Sequence, residues 1–168
     1  YILMKIEVLE QAVNKLLVLA EDDIKSKLNE SFAILRATAI VHQHNHWEIG
    51  GQAQYGDHLL YERLYTATQS DIDSLAERII GVCGLETLSF NKTLNNLQCN
   101  YLNSLVDRSI LERSLLAEQK AKDILSITYE SLKNSQFKSD IGLTEDLFPS
   151  LISNREEALY LLRRRAES

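Results

Sequence analysis

The chain has 168 residues, 45% of them hydrophobic, with one proline and a formal charge of -6 at pH 7, the size and apolar content of one domain around a single core. This acidic balance disfavours a surface built to grip nucleic-acid phosphates and favours cationic guests. No stretch approaches the roughly 18 uninterrupted apolar residues that cross a membrane, because Glu7, Glu10, Asn14 and Lys15 break up the apolar N-terminus.

Residues 1–21 are amphipathic and read as an N-terminal extension able to add a short helix of its own. From Ile24, apolar positions recur at three- and four-residue steps through Leu28, Phe32, Leu35 and Ala39 and continue from His42 to His46, one face of a long helix. Glu21, Asp22 and Asp23 fall near its expected positive end. Gly50 and Gly51 end it, and a second run carries Leu60, Leu64, Ile72, Leu75, Ile79 and Ile80 as far as Gly81 and Gly84. Leu85 to Asn100 is a mixed connector, in which Leu88, Phe90, Leu94 and Leu97 predict a short helix lying over the bundle.

Helix three is expected from about Leu102 to Leu132, with Leu105, Val106, Leu116, Ile124 and Ile127 inward and Asp107, Glu112, Lys120 and Lys122 wetter. Asn134 to Gly142 reads as a turn. Thr144 is the expected N-cap of the last helix, which turns Phe148, Leu151, Ile152, Leu159 and Leu162 inward and ends on Arg163, Arg164 and Arg165. Pro149 predicts a later start or a kink. No segment alternates at period two for long enough to predict a sheet. The expectation is an all-α single domain: a ferritin-like four-helix bundle with a short helix in the long crossover between helices two and three. Cys83 and Cys99 lack close spacing, so neither a disulfide framework nor a zinc knuckle is indicated, and a reducing cytoplasm fits best.

The four histidines all lie between His42 and His58, and the second helix then presents Glu62, Asp73 and Glu77. Mixed imidazole and carboxylate donors suit iron, manganese or zinc. His58 with Glu62, and Asp73 with Glu77, are i,i+4 pairs, each able to offer two donors to one ion. At 1.5 Å per residue Glu62 and Asp73 stand about 16 Å apart along the helix, so one helix cannot close one site with both pairs. An identical helix laid antiparallel about a two-fold axis between Ala67 and Thr68 brings His58 opposite Glu77 and Glu62 opposite Asp73. An isologous dimer then builds two equal sites, each with one pair from either chain. His46, at the end of the first helix, can swing in as a second imidazole on the His58 side.

His46-Trp47, a glycine turn, His58, Glu62, Asp73 and Ala76-Glu77-Arg78 resemble the ferroxidase signature of Dps miniferritins, with ligand steps of 12, 4, 11 and 4. The match covers about Leu28 to Gly84; farther on, Thr144-Glu145-Asp146-Leu147 agrees more weakly. The resemblance implies a dodecameric cage that oxidises ferrous iron at dimer interfaces, usually with hydrogen peroxide, and stores ferric mineral inside. By that analogy His46, His58 and Glu62 come from one chain and Asp73 and Glu77 from its mate, with Trp47 beside the site to quench stray oxidising equivalents. Glu62 stands where aspartate is common, Leu59 replaces an acid often found there, and Arg63 adds positive charge, which favours oxidation over mineral growth.

Other readings compete for several residues. His42, one turn below His46, is a candidate extra ligand, and His44 a surface residue. Trp47 could equally be core. Asp140, Glu145 and Asp146 suit a pore that draws in cations or an ordinary acidic helix start. Two other function classes stand beside the ferroxidase: a nucleoid protein, which the visible sequence does not support because Lys5 and Lys15 are balanced by Glu7 and Glu10 and Arg163 to Arg165 suit an ordinary helix C-terminus, and a helical assembly that holds redox-silent zinc at the same donors.

Overall fold

The computed structural model describes residues 2–51 and 54–167, with side chains from residue 9 onward except 98–100. Five helices follow one another: α1 (Ile2–Glu48), α2 (Tyr55–Cys83), a short α3 (Phe90–Asn95), α4 (Ile110–Lys133) and α5 (Phe148–Ala166). Among the described residues there is no strand. Helices α1 and α2 form one hairpin and α4 and α5 the other, and α1 packs against α4 to close the bundle.

The expected short N-terminal helix is instead the first part of α1, which runs unbroken for 47 residues, about 70 Å at 1.5 Å per residue. No glycine or proline interrupts residues 1–48, so nothing stops the helix before Gly50. Glu21, Asp22 and Asp23 therefore lie inside a helix and not at its positive end. Glu21 pairs with Lys25 at 2.8 Å and Asp23 with Lys27, both at the i,i+4 step that favours such pairs. Residues 9–20 are exposed, and burial begins at Ile24.

Gly81 stays within α2, and Gly84 ends it with φ 87 and ψ 157, a backbone region open essentially to glycine alone. A Cβ there would also meet the Glu86 carboxylate at 2.5 Å. Replacing Gly84 by alanine is expected to lower unfolding free energy by about 1–3 kcal/mol, read from urea denaturation. The crossover is then pinned to α1 by buried Asn29, whose amide donates to the Thr87 carbonyl at 3.0 Å and to Thr93 Oγ1 at 3.3 Å. Of the crossover residues expected to pack, Leu97 is buried and Leu88 half-buried, whereas Phe90 is 75% exposed. The side chain of Cys99 lies outside the described residues; Cys83 is buried and its thiol is pushed up by desolvation.

Helix three starts later than the hydrophobic spacing predicts. Ser109 Oγ accepts from the Glu112 backbone N–H while the Glu112 carboxylate accepts from the Ser109 N–H, a capping box that fixes the first turn of α4. Its inward face is Ser114, Ala117, Glu118, Ala121, Leu125, Thr128 and Leu132. Leu105 is buried, but Val106, Leu116 and Ile127 point outward. Thr144 is not a cap: it is buried in the wide turn Gly142–Leu147 and donates to the Asp140 carbonyl at 2.9 Å. Pro149 sits in the first turn of α5, which begins at Phe148 and so starts later than Thr144; its missing N–H is harmless there.

Among the described residues the core has a small apolar region of Val41, Leu105 and Ala117 and two larger ones. One centres on Leu28, Leu35, Leu75, Ile79, Leu125, Leu132, Phe148 and Leu151; the other, toward the α1–α2 turn, contains Ile49, Tyr61, Leu64, Ala158 and Leu162. Between them lies a layer of buried polar and charged side chains contributed by all four long helices.

Candidate metal centre

The turn between α1 and α2 sets the last turn of one helix against the first turn of the next, and so brings His46 and His58 together. Their rings stack with centroids 3.8 Å apart and planes at 30°. His46 Nδ1 lies 3.0 Å from the His58 carbonyl oxygen, and His58 Nδ1 lies 3.1 Å from the His46 carbonyl oxygen. A carbonyl can only accept, so each Nδ1 carries a hydrogen, and in the neutral ring the lone pair is on Nε2. This is the tautomer in which imidazole binds a metal, fixed by its own hydrogen bond. The His46 carbonyl is one of the last four of α1, which have no partner within the helix. Both rings are half-buried, and Tyr65 stands edge-on to His46 at 5.4 Å.

Glu62, Asp73 and Glu77 all lie on the exposed side of α2. One chain therefore carries two imidazoles and Glu62 near one end of α2 and the Asp73–Glu77 pair about 16 Å farther along. Among the described residues, no three His, Cys, Asp or Glu side chains gather closely enough to hold a metal. Ala67 is exposed, but Thr68 is buried and turned into the bundle, so it does not lie at the surface where an approaching helix would need it. Trp47 is 67% exposed with its ring edge-on to His44, which removes the core reading. Arg63 is engaged by Glu157, and Arg78 by Asp140. Burial raises the Asp140 carboxyl, but the Arg78 guanidinium and the Leu143 N–H outweigh it and leave it below the usual range.

His42 is completely buried and belongs to the polar layer. Its Nε2 is 2.7 Å from Glu118 Oε1 and its Nδ1 is 3.2 Å from Ser114 Oγ. Glu118, also fully buried, faces Arg155, whose Nη1 donates to both its oxygens at 3.1 and 3.2 Å and to Thr68 Oγ1 at 2.8 Å. Arg155 Nη2 donates to Asp71 Oδ2 at 2.6 Å, and Asn154 donates to Asp71 Oδ1 at 2.8 Å. Desolvation raises the Asp71 carboxyl, with Arg155 and Asn154 only partly offsetting it. Asn45 donates to Ser114 Oγ at 2.7 Å, tying the end of α1 to α4 one residue before His46.

Asp71, Glu118 and Arg155 are not among the candidate residues that the sequence motifs single out. A signal was present, because each occupies a step of an apolar register: Leu64-Thr68-Asp71-Leu75, Ser114-Glu118-Ala121-Leu125 and Leu151-Arg155-Ala158-Leu162. Acids and bases at such steps must find partners inside. His44 is exposed and paired with Glu48 at 2.8 Å. The three terminal arginines are all engaged: Arg163 with Gln119, Arg164 with Glu167 and Arg165 with both Asp57 oxygens. Glu145 and Asp146 are exposed.

No protein-family model matches the chain. It is 27% identical over 138 residues, 80% of its own length and 72% of the other, to a Nostoc protein named nutrient stress-induced DNA-binding protein. In fold it is similar to Dps from Thermosynechococcus elongatus, with a TM-score of 0.73 at 17% identity, covering 89% of this chain and 94% of that one. A Dps protein of Vibrio cholerae, described as a member of a broad superfamily of ferritin-like diiron-carboxylate proteins, gives 0.71 at 19% identity over 88% and 91% of the two chains. In fold the chain is a ferritin-like helical bundle similar to these Dps structures.

Proposed function

We propose that the chain is a subunit of a ferroxidase cage. Two chains related by a two-fold axis build a pair of sites, each from His46, His58 and Glu62 of one chain and Asp73 and Glu77 of the other. Ferrous iron is the substrate, hydrogen peroxide the oxidant, and ferric product is stored inside a dodecameric shell in the cytoplasm, which limits oxidative damage. Two ferrous ions supply the two electrons that cleave one peroxide. The same donors also accept zinc or manganese.

The observation that carries this reading is the His46–His58 pair, in which reciprocal bonds to backbone carbonyls place the lone pair of each neutral ring on Nε2. An imidazole held this way loses little freedom on binding and keeps its orientation, which is what an outer hydrogen bond does for a metal-binding histidine. A second observation supports the shared geometry. Tyr55 is 64% and Ile80 40% exposed at opposite ends of α2. The antiparallel register that brings His58 opposite Glu77 also brings Tyr55 opposite the other chain's Ile80, covering both. Trp47, exposed beside His46, then lies next to the oxidation site.

The Nostoc relative is named as a DNA-binding protein, but here the terminal arginines are engaged within the chain and the net charge is -6, so DNA is not proposed as a partner. The test is ferrous oxidation followed by absorbance with peroxide or oxygen, on protein whose mass in solution is measured in the same preparation. Fast peroxide-dependent oxidation by a dodecamer is expected. A rate no faster than free ferrous iron would overturn the reading.

A further inference from the structure

Beyond the bundle, α1 carries a bare apolar face. Every residue from 9 to 20 is exposed, and Leu9, Val13 and Leu16 are 64%, 53% and 66% exposed. Ile2, Ile6, Leu9, Val13, Leu16 and Ala20 follow at steps of 4, 3, 4, 3 and 4, the alternation of a coiled-coil seam. Ile24 and Leu28, four and eight residues past Ala20, carry the same face into the core and are buried there. A contiguous apolar face left in water marks a place where something docks, and a helix draws most of its stability from packing such a face.

The residue types along the seam select the occupant. Written as heptads, Ile6 and Val13 hold position a, and Leu9 and Leu16 hold position d. A β-branched residue at a with leucine at d favours two parallel strands. Lys5 holds a g position and Glu10 the e position of the next heptad. These two positions face each other across a parallel, in-register pair, so opposite charges meet on both sides of the seam. A lipid surface fits less well, because Lys5 and Lys15 are balanced by Glu7 and Glu10, whereas helices that lie on membranes are rich in Lys and Arg on the polar face. Residues 2–20 span only about 28 Å, but they continue a helix anchored in the bundle, which removes the cost of nucleation that defeats short free helices.

We infer that residues 2–20 of α1 pair with the same stretch of a second copy as a parallel, two-stranded coiled coil. In the two-fold dimer proposed above, the α2 helices run antiparallel, so the α1 helices of that dimer point in opposite directions and the coiled coil joins chains of different dimers. Which copy supplies the partner rests on that proposed dimer; the pairing itself rests on α1 alone. His46 is about 39 Å farther along α1 than Ala20, so none of the metal donors takes part.

The test is disulfide trapping of full-length Leu16→Cys and Val18→Cys under mild oxidation, read on non-reducing denaturing gels. Leu16 faces its own copy across the parallel seam, whereas Val18, at position f, faces away; both are exposed, so neither change disturbs the core. Leu16→Cys is expected to run mostly as covalent pairs, and Val18→Cys no more than the parent, which carries Cys83 and Cys99. Adding Leu9→Glu and Val13→Glu to Leu16→Cys is expected to return trapping to the parent's level. Trapping at residue 16 no greater than at residue 18 overturns the inference. So does a parent chain that sediments with phosphatidylglycerol vesicles while Leu16→Cys fails to cross-link, which would give the face to a lipid surface. Iron oxidation by the same variants reads the ferroxidase site separately: its absence with the cross-link present would remove the proposed function and leave the pairing.

Discussion

Replacing both His46 and His58 by alanine is expected to slow peroxide-dependent iron oxidation by about a hundredfold or more while leaving the assembly intact. Removing even an outer partner of a metal ligand typically costs about 10–100-fold, and this change deletes two imidazoles and the two hydrogen bonds that hold them. Both side chains are half-buried at the α1–α2 turn, outside the apolar regions of the core, so the bundle should keep its shape. Stopped-flow absorbance gives the rate and sedimentation the mass. Unchanged kinetics in the double variant would remove these histidines from the reaction.

The second large effect lies in the buried layer. Glu118→Leu keeps the volume nearly constant but leaves Arg155 with only Asp71 as a counter-charge and strips the acceptor from His42. Breaking a buried ion pair by removing one partner costs about 3–5 kcal/mol, far more than the pair's net contribution against an apolar replacement. For a chain of this size that lowers the thermal midpoint by roughly 6–20 °C. A shift below 2 °C in scanning calorimetry would mean that the layer is not electrostatically coupled. Glu118→Gln, which retains an acceptor oxygen for His42 and Arg155, is expected to lose less.

The contrast between this layer and the outer face of α2 shows what a sequence carries. On α2, the spacing of Glu62, Asp73 and Glu77 depends only on helix periodicity, so their shared exposed side was legible before any fold was known. The same periodicity gave the two hairpins and the long crossover. It could not give the start of α4, because Leu105 and Val106 continue an apolar rhythm across a break that only the Ser109–Glu112 capping box reveals. Nor could it orient Leu116 and Ile127, since leucine and isoleucine are common on outer faces as well. His42 illustrates the harder limit. One turn from His46 it has the credentials of a ligand, and what separates it is Glu118, 76 positions away, close enough to claim its Nε2. Partnerships between helices are set by packing and leave no local trace.

The central claim, that each site is shared between chains, is tested most directly by mixing two inactive variants. One carries His46→Ala and His58→Ala; the other carries Asp73→Asn and Glu77→Gln. In a mixed dimer, one site receives both damaged halves and the other receives both intact halves. Co-refolding the two is therefore expected to recover activity in proportion to the mixed dimers formed, with one working site in each. Assemblies of either variant alone should stay inactive. If the refolded mixture forms mixed dimers by mass spectrometry and yet oxidises iron no faster than its inactive parents, the site is not shared in this way.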